Sequence, residues 1–409
     1  MKSIDVVPTW YWPDGVPRYL SPPRSTVYKA AVERWARRTP DSPALEGHGG
    51  RIDYRTLDER VNRAAARIRR AGGGRGEAGP GLRVAVAPAP GIDGAVAVLG
   101  ALHAGADTLL VDPATPEAER RAALAAFGCG LLIADDAGGG QHAWGTTSVQ
   151  SIAHPAPTGR DDPEPPAAAP SPGGRLGFRW GHAVVLQPNA ALLGWSLAFR
   201  AFAMLEKDER FAVFRPLSTW EGVIGLLAPL VVGATAMCPS GAWEAVLDAA
   251  AQERPGGMWL DRAQAEALAT DLRARPRRAR PAWLYVSVDS PISARTRRRL
   301  RRVLGGQVLT ALGTPATGPI AGSPRPWLID EAVGTPMTGV DLFPVDRAAG
   351  RLAEPPWPLL ASAGVGVKST LFAPEMSLEG AAPGRFVSED VLDTGVSGRI
   401  DANGFLYLV

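Results

Sequence analysis

The 409-residue chain is 45% hydrophobic and 21% charged, near the averages of folded domains, which excludes extended disorder and gives length enough for two or three packed subdomains. A formal net charge of +3 is too small to argue for a nucleic-acid partner. The basic residues are almost all arginine, and with lysine present only as Lys2, Lys29, Lys207 and Lys368 most candidates for a catalytic lysine are removed.

Residues 1–24, rich in Pro and aromatics (PTWYWPDGVPRYLSPP), suit an extended arm laid over the body rather than a domain. Val27, Ala30, Ala31, Val32 and Trp35 then recur at helical spacing up to Pro40. Residues 44–46 and 51–54 read as a hairpin, and Thr56 as the cap of a helix through Leu57, Val61, Ala65 and Ile68. Strands at 83–88, 108–111 and 131–134 alternate with helices at 95–103 and 112–127, which predicts a parallel sheet. His103 sits inside an apolar helix and reads as core. The Pro/Ala/Asp-rich segment 153–174 reads as a linker-like loop. Residues 176–180 form the next strand. A strand from Val184 runs into a helix with Asn189 as N-cap, leaving only Gly181, His182 and Ala183 between the two. The first α/β subdomain thus covers 25–194.

A second α/β subdomain covers 195–333, with strands at 210–214, 235–238, 283–288 and 307–310. Its helices fall at 225–231, 243–252, 263–275 and 293–304. The last carries Arg295, Arg297, Arg298, Arg299, Arg301 and Arg302 and reads as a solvated surface helix, with an acidic carrier protein or coenzyme A phosphates as the other readings. Residues 334–409, with short strands and many turns, read as a small distorted β-barrel. Cys129 and Cys238 lie in apolar surroundings, as buried thiols of a cytoplasmic protein do. No metal spacing and no signal peptide are evident. The apolar run 222–237 is broken by Pro229 and glycines and is too short to span a bilayer, so no membrane association is expected.

Several stretches together carry a resemblance: IDYRTLDERVNRAAARI, VAVLGALHAGADTLLVDPATPEAERRAALAAFGCGLLIADD, AVVLQPNAALL, RPLSTWEG, GTPMTGV and IDANGFLYLV. They resemble the adenylate-forming superfamily of acyl-CoA ligases and nonribosomal peptide synthetase adenylation domains, and specifically its large N-terminal domain. The resemblance implies two α/β subdomains with parallel-rich sheets plus a small distorted β-barrel. The chain ends just before the family's closing Gly-Arg, so neither the hinge nor the small C-terminal domain is expected.

The same resemblance shows departures on the nucleotide side. The family's Gly/Ser/Thr-rich phosphate loop, with its lysine, falls where only Gly181, His182 and Ala183 stand. Its magnesium-side glutamate aligns with Ala316, and its ribose-binding aspartate with Val396. ATP and magnesium are therefore expected not to bind, whereas coenzyme A or phosphopantetheine remains a ligand class the resemblance implies. The acyl side keeps its walls, and Phe214, Thr219, Trp220, Ser287, Leu312, Gly313 and Thr314 are the candidate substrate-binding residues, Thr219 standing where ligases usually carry histidine. His182 is the candidate base, able as a neutral imidazole to take a proton from a thiol; the plainer reading makes it the tip of a surface turn. The sequence thus points to a non-adenylating homologue that holds an acyl thioester, an acyl carrier protein or a biosynthetic partner enzyme. Its alternatives are an ATP-independent acyltransferase between coenzyme A and a carrier protein, and a ligase completed in trans.

Overall fold

The computed structural model describes residues 17–21, 23–47, 50–72, 82–135, 145–149, 174–239, 256–270, 283–288, 292–304, 307–323, 332–353, 363–369, 376–401 and 404–409. The helix expected at 243–252, nearly all of the linker-like segment and most of the N-terminal arm lie outside them. The described end of the arm does lie on the body, where Arg18 pairs with Asp341 at 2.5 Å and accepts a backbone bond from Gly339.

A π-helical turn, Lys29–Glu33, runs into α1 (Arg34–Arg38), followed by the hairpin β1 (Pro43–Gly47) and β2 (Gly50–Asp53) and by α2 (Tyr54–Ala71). Asp53, not Thr56, caps α2: its carboxylate accepts from the Thr56 N–H at 2.8 Å, because the helix begins at Tyr54 and puts Thr56 in the first turn. Next come β3 (Arg83–Val86), α3 (Ile92–Ala104), β4 (Asp107–Leu110), α4 (Glu117–Phe127), β5 (Leu131–Ile133), β6 (Gly145–Thr147), β7 (Arg175–Trp180) and β8 (Ala183–Pro188). The prolines at 113 and 116 delay α4 past its expected start, since proline is tolerated only at a helix entry. α5 (Asn189–Phe202) is capped by Pro188 rather than by Asn189, whose amide instead accepts from the Val27 N–H at 3.3 Å and donates to the Gly174 carbonyl at 2.9 Å.

Then follow β9 (Arg210–Val213), α6 (Trp220–Val232), β10 (Thr235–Cys238), β11 (Gly257–Leu260), α7 (Arg262–Thr270), β12 (Trp283–Ser287), α8 (Ala294–Leu304), β13 (Gln307–Thr314), β14 (Gly318–Gly322) and β15 (Thr335–Pro336). On α8 the Arg297 side chain is buried and donates to the Ala332 carbonyl at 3.1 Å, while Arg295, Arg298 and Arg302 are exposed. The chain closes with β16 (Val340–Asp346), β17 (Arg351–Leu352), β18 (Ala363–Ser369), β19 (Ser377–Glu379), β20 (Arg385–Phe386), β21 (Leu392–Ile400) and β22 (Leu406–Leu408).

Three sheets result. The first runs β19-β8-β7-β4-β3-β5-β6, parallel from β7 to β6. The second runs β15-β14-β13-β12-β11-β9-β10-β1-β2, parallel from β13 through β1. The described strands after residue 339, β19 apart, form an antiparallel sheet. The architecture is therefore mixed α/β with parallel-rich sheets, as the sequence predicts. The strand runs such as VAV, TLL and LLI are buried on both faces because helices cover both sides. The pairings that join the most distant segments are those of β1 with β10 and of β19 with β8. Among the described residues no helix is long and apolar enough to cross a membrane.

Candidate functional site

Parallel strands of the first two sheets end around a common cleft of about 380 Å³. It is lined by Leu110 at the end of β4, with Asp112 and Thr115 beyond it. Phe178, Arg179 and Gly181 from β7 and its turn add a second wall, Ser218–Glu221 at the entry of α6 a third, and Pro315 after β13 the fourth. A crevice outside the carboxyl ends of parallel strands is where α/β sheets place their ligands.

The turn beside it is short, as expected from the sequence. β7 and β8 pair antiparallel out to Trp180↔Ala183, so Gly181 and His182 alone make the connection, and Gly181 adopts φ +63° as such turns require. Behind the turn, Trp180, Val185, Ala316 and Leu392 pack into an apolar cluster. Gln187 is buried at 1% exposure and donates to the carbonyls of Pro315 (3.1 Å) and Ala316 (3.0 Å), tying β8 to the β13–β14 turn.

The residues singled out from sequence take distinct places. Thr219 and Trp220 line the cleft. Thr219 also caps α6, accepting from the Gly222 N–H at 3.1 Å. Ser287 lies behind Glu221 and accepts from the Trp259 indole N–H at 2.7 Å. Gly313 lies against the Trp220 ring so closely that a Cβ there would come within 2.5 Å of it. Phe214 and Leu312 belong to the core, and Thr314 is buried in a turn with Thr317, hydroxyl to hydroxyl at 2.8 Å. His182 is an exposed turn residue outside the cleft lining. Cys238 is buried in the core, where burial pushes its thiol up to about 12; Cys129 is half-buried and donates to the Leu131 carbonyl.

Glu221, which the sequence reading passed over, is the carboxyl most deeply placed in the cleft lining, at 8% exposure. In STWEG nothing marks it off from any other acid early in a helix. Burial pushes its carboxyl above the usual range, against the pull of Arg215 and of hydrogen bonds from Thr219 and Ser287. Arg215 stands 3.6 Å from Glu221 and 2.6 Å from Asp261, so its tighter partner is Asp261. Among the described lining residues the cation is Arg179, which pairs with Glu119 at 2.6 Å. Carboxyls therefore outnumber uncommitted cations around the cleft.

With this geometry in hand, comparison with known proteins places the chain. Residues 32–170 match the AMP-binding enzyme family. The chain is 30% identical over 119 residues to surfactin synthase subunit 2 and 35% identical over 102 residues to surfactin synthase subunit 3, both of Bacillus subtilis (strain 168). These stretches take up 29% and 24% of this chain, and 3% and 8% of the two relatives. In fold it is similar to the nonribosomal peptide synthetase FmoA3 in its α-methyl-L-serine-AMP bound form, with TM-score 0.78 and 21% identity over 96% of this chain and 45% of that one. It is also similar to VinN, with TM-score 0.74 and 19% identity over 94% of this chain and 98% of that one. Residues 32–170 thus match the AMP-binding enzyme family, and the chain as a whole shares the fold of the nonribosomal peptide synthetase FmoA3 and of VinN.

Proposed function

We propose that this chain binds an acyl thioester, presented on the phosphopantetheine arm of a carrier protein or on coenzyme A, and does not adenylate a carboxylate. The observation that carries the reading is the two-residue turn at Gly181 and His182. A phosphate loop supplies charge-assisted hydrogen bonds worth about 1.5–3 kcal/mol each. Losing three of them weakens binding by on the order of 10³–10⁶, enough to move a micromolar site past millimolar. The apolar cluster of Trp180, Val185, Ala316 and Leu392 behind the turn, and the carboxyls of Asp112 and Glu221 in the cleft, support the same conclusion, since a triphosphate needs the opposite charge. Kinship with synthetase subunits supports a carrier protein or a biosynthetic enzyme as partner.

Calorimetric titration with ATP·Mg and a pyrophosphate-exchange assay across carboxylic acids test the first half; the expected result is no binding and no exchange, and a micromolar Kd would overturn it. Titration with short acyl-pantetheine thioesters tests the second half, with saturable binding expected. A second reading, transfer of the acyl group between two thiols, is favoured by the buried carboxyl of Glu221 at the cleft.

A further inference from the structure

Glu221 is held as a proton-transfer group is held. The first turn of α6 carries it, and the Ser287 hydroxyl, which accepts from the Trp259 indole N–H at 2.7 Å, favours its charged form. The Thr219 hydroxyl donates to the Pro216 carbonyl at 2.8 Å and also favours the charged form of Glu221. Arg215 faces it from the β9 side but is taken up by Asp261, so Glu221 is not locked into a tight ion pair. Across the cleft stand Asp112 and Arg179, the latter held by Glu119. A carboxyl kept from water in a cleft, near cations committed elsewhere, has the setting of a general base.

We infer that Glu221 is a catalytic residue for thioester exchange in this cleft. The inference rests on the thioester-binding reading above. An incoming thiol gives its S–H proton to the Glu221 carboxylate as its sulfur attacks the thioester carbonyl carbon. The tetrahedral adduct expels the first thiol as thiolate, which recovers the proton from Glu221. One C–S bond forms and one breaks, no redox partner is needed, and Glu221 ends as it began. His182, exposed on its turn, takes no part.

The test uses the whole chain. A panel of short acyl-pantetheine thioesters is titrated first, and the tightest binder is then incubated with isotopically labelled pantetheine to follow label exchange. Wild type is expected to exchange label, Glu221→Gln to lose about 10²–10⁴-fold in kcat with the thioester Kd unchanged, and His182→Ala to match wild type. The wild-type rate should rise with pH through the raised ionisation of Glu221, and that limb should vanish in Glu221→Gln. Ser287→Ala, which removes a donor to the charged carboxylate, should move the limb to higher pH, a readout that survives if Glu221→Gln folds poorly. Wild type that binds thioester without exchanging it, or exchange undiminished in Glu221→Gln, overturns the inference and leaves the binding reading standing. No thioester binding by wild type overturns both.

Discussion

Gln187 sends its amide protons to the main-chain carbonyls of Pro315 and Ala316, tying the first sheet to the turn that borders the cleft. Replacing it with leucine keeps the volume and strands the buried Ala316 carbonyl, a loss of about 1–3 kcal/mol, while the half-buried Pro315 carbonyl can turn to water in the cleft. A urea midpoint lowered accordingly, with unchanged m, is the expected outcome. His103 makes a pH prediction. It stacks on Tyr28 at 3.7 Å, its Nε2 lies 3.0 Å from Asn62, and burial lowers its pKa to about 4. The unfolded chain therefore binds more protons than the folded one between pH 4 and 6.5. Stability from this group is fully present above pH 6.5 and is lost as pH falls towards 4, to a total on the order of 3 kcal/mol. Urea unfolding of His103→Gln across that window should show a shallower fall than wild type. The sequence made His103 legible, since a histidine in an apolar helix has little else to be. It hid Glu221, because whether a first-turn acid faces water or a cleft depends on a neighbouring sheet.

Among the elements, the β7–β8 hairpin was legible because the spacing between its two strands leaves room for nothing longer. Gly181→Ala should cost about 1–2 kcal/mol for the positive φ, and its Cβ would also press on Pro383 at 3.0 Å; a thermal melt of the variant measures both. Grafting a longer Gly/Ser/Thr-rich loop in place of Gly181 and His182 should not create ATP affinity, because Trp180, Val185, Ala316 and Leu392 fill the space behind the turn. The start of α6 was less legible. The sequence places this helix at 225–231, whereas the Thr219 cap starts it at Trp220 and swings that indole onto Gly313 and edge-on to Trp259 at 5.8 Å. The buried indole thus forms part of the cleft lining. Trp220→Leu is expected to shift thioester preference towards longer acyl groups, read as the ratio of Kd values for acetyl- and hexanoyl-pantetheine.

At the scale of the molecule, local periodicity was enough to predict parallel sheets, because each β-α-β unit records its own handedness and layering in a few tens of residues. The pairings of β1 with β10 and of β8 with β19 left no such record, since edge register between distant segments depends on hydrogen bonds every residue type can make. The second of these has a bearing on how the protein comes into being. Arg175, on β7, bonds Ser377 on β19, 202 residues later. At ribosomal rates of about 5–20 residues per second, the β8 edge waits on the order of 10–40 s for its last strand to emerge. Throughout that interval the nascent first sheet presents an unpaired strand to its surroundings, the condition under which a chaperone, or another nascent chain, competes for the place that Ser377–Glu379 will take.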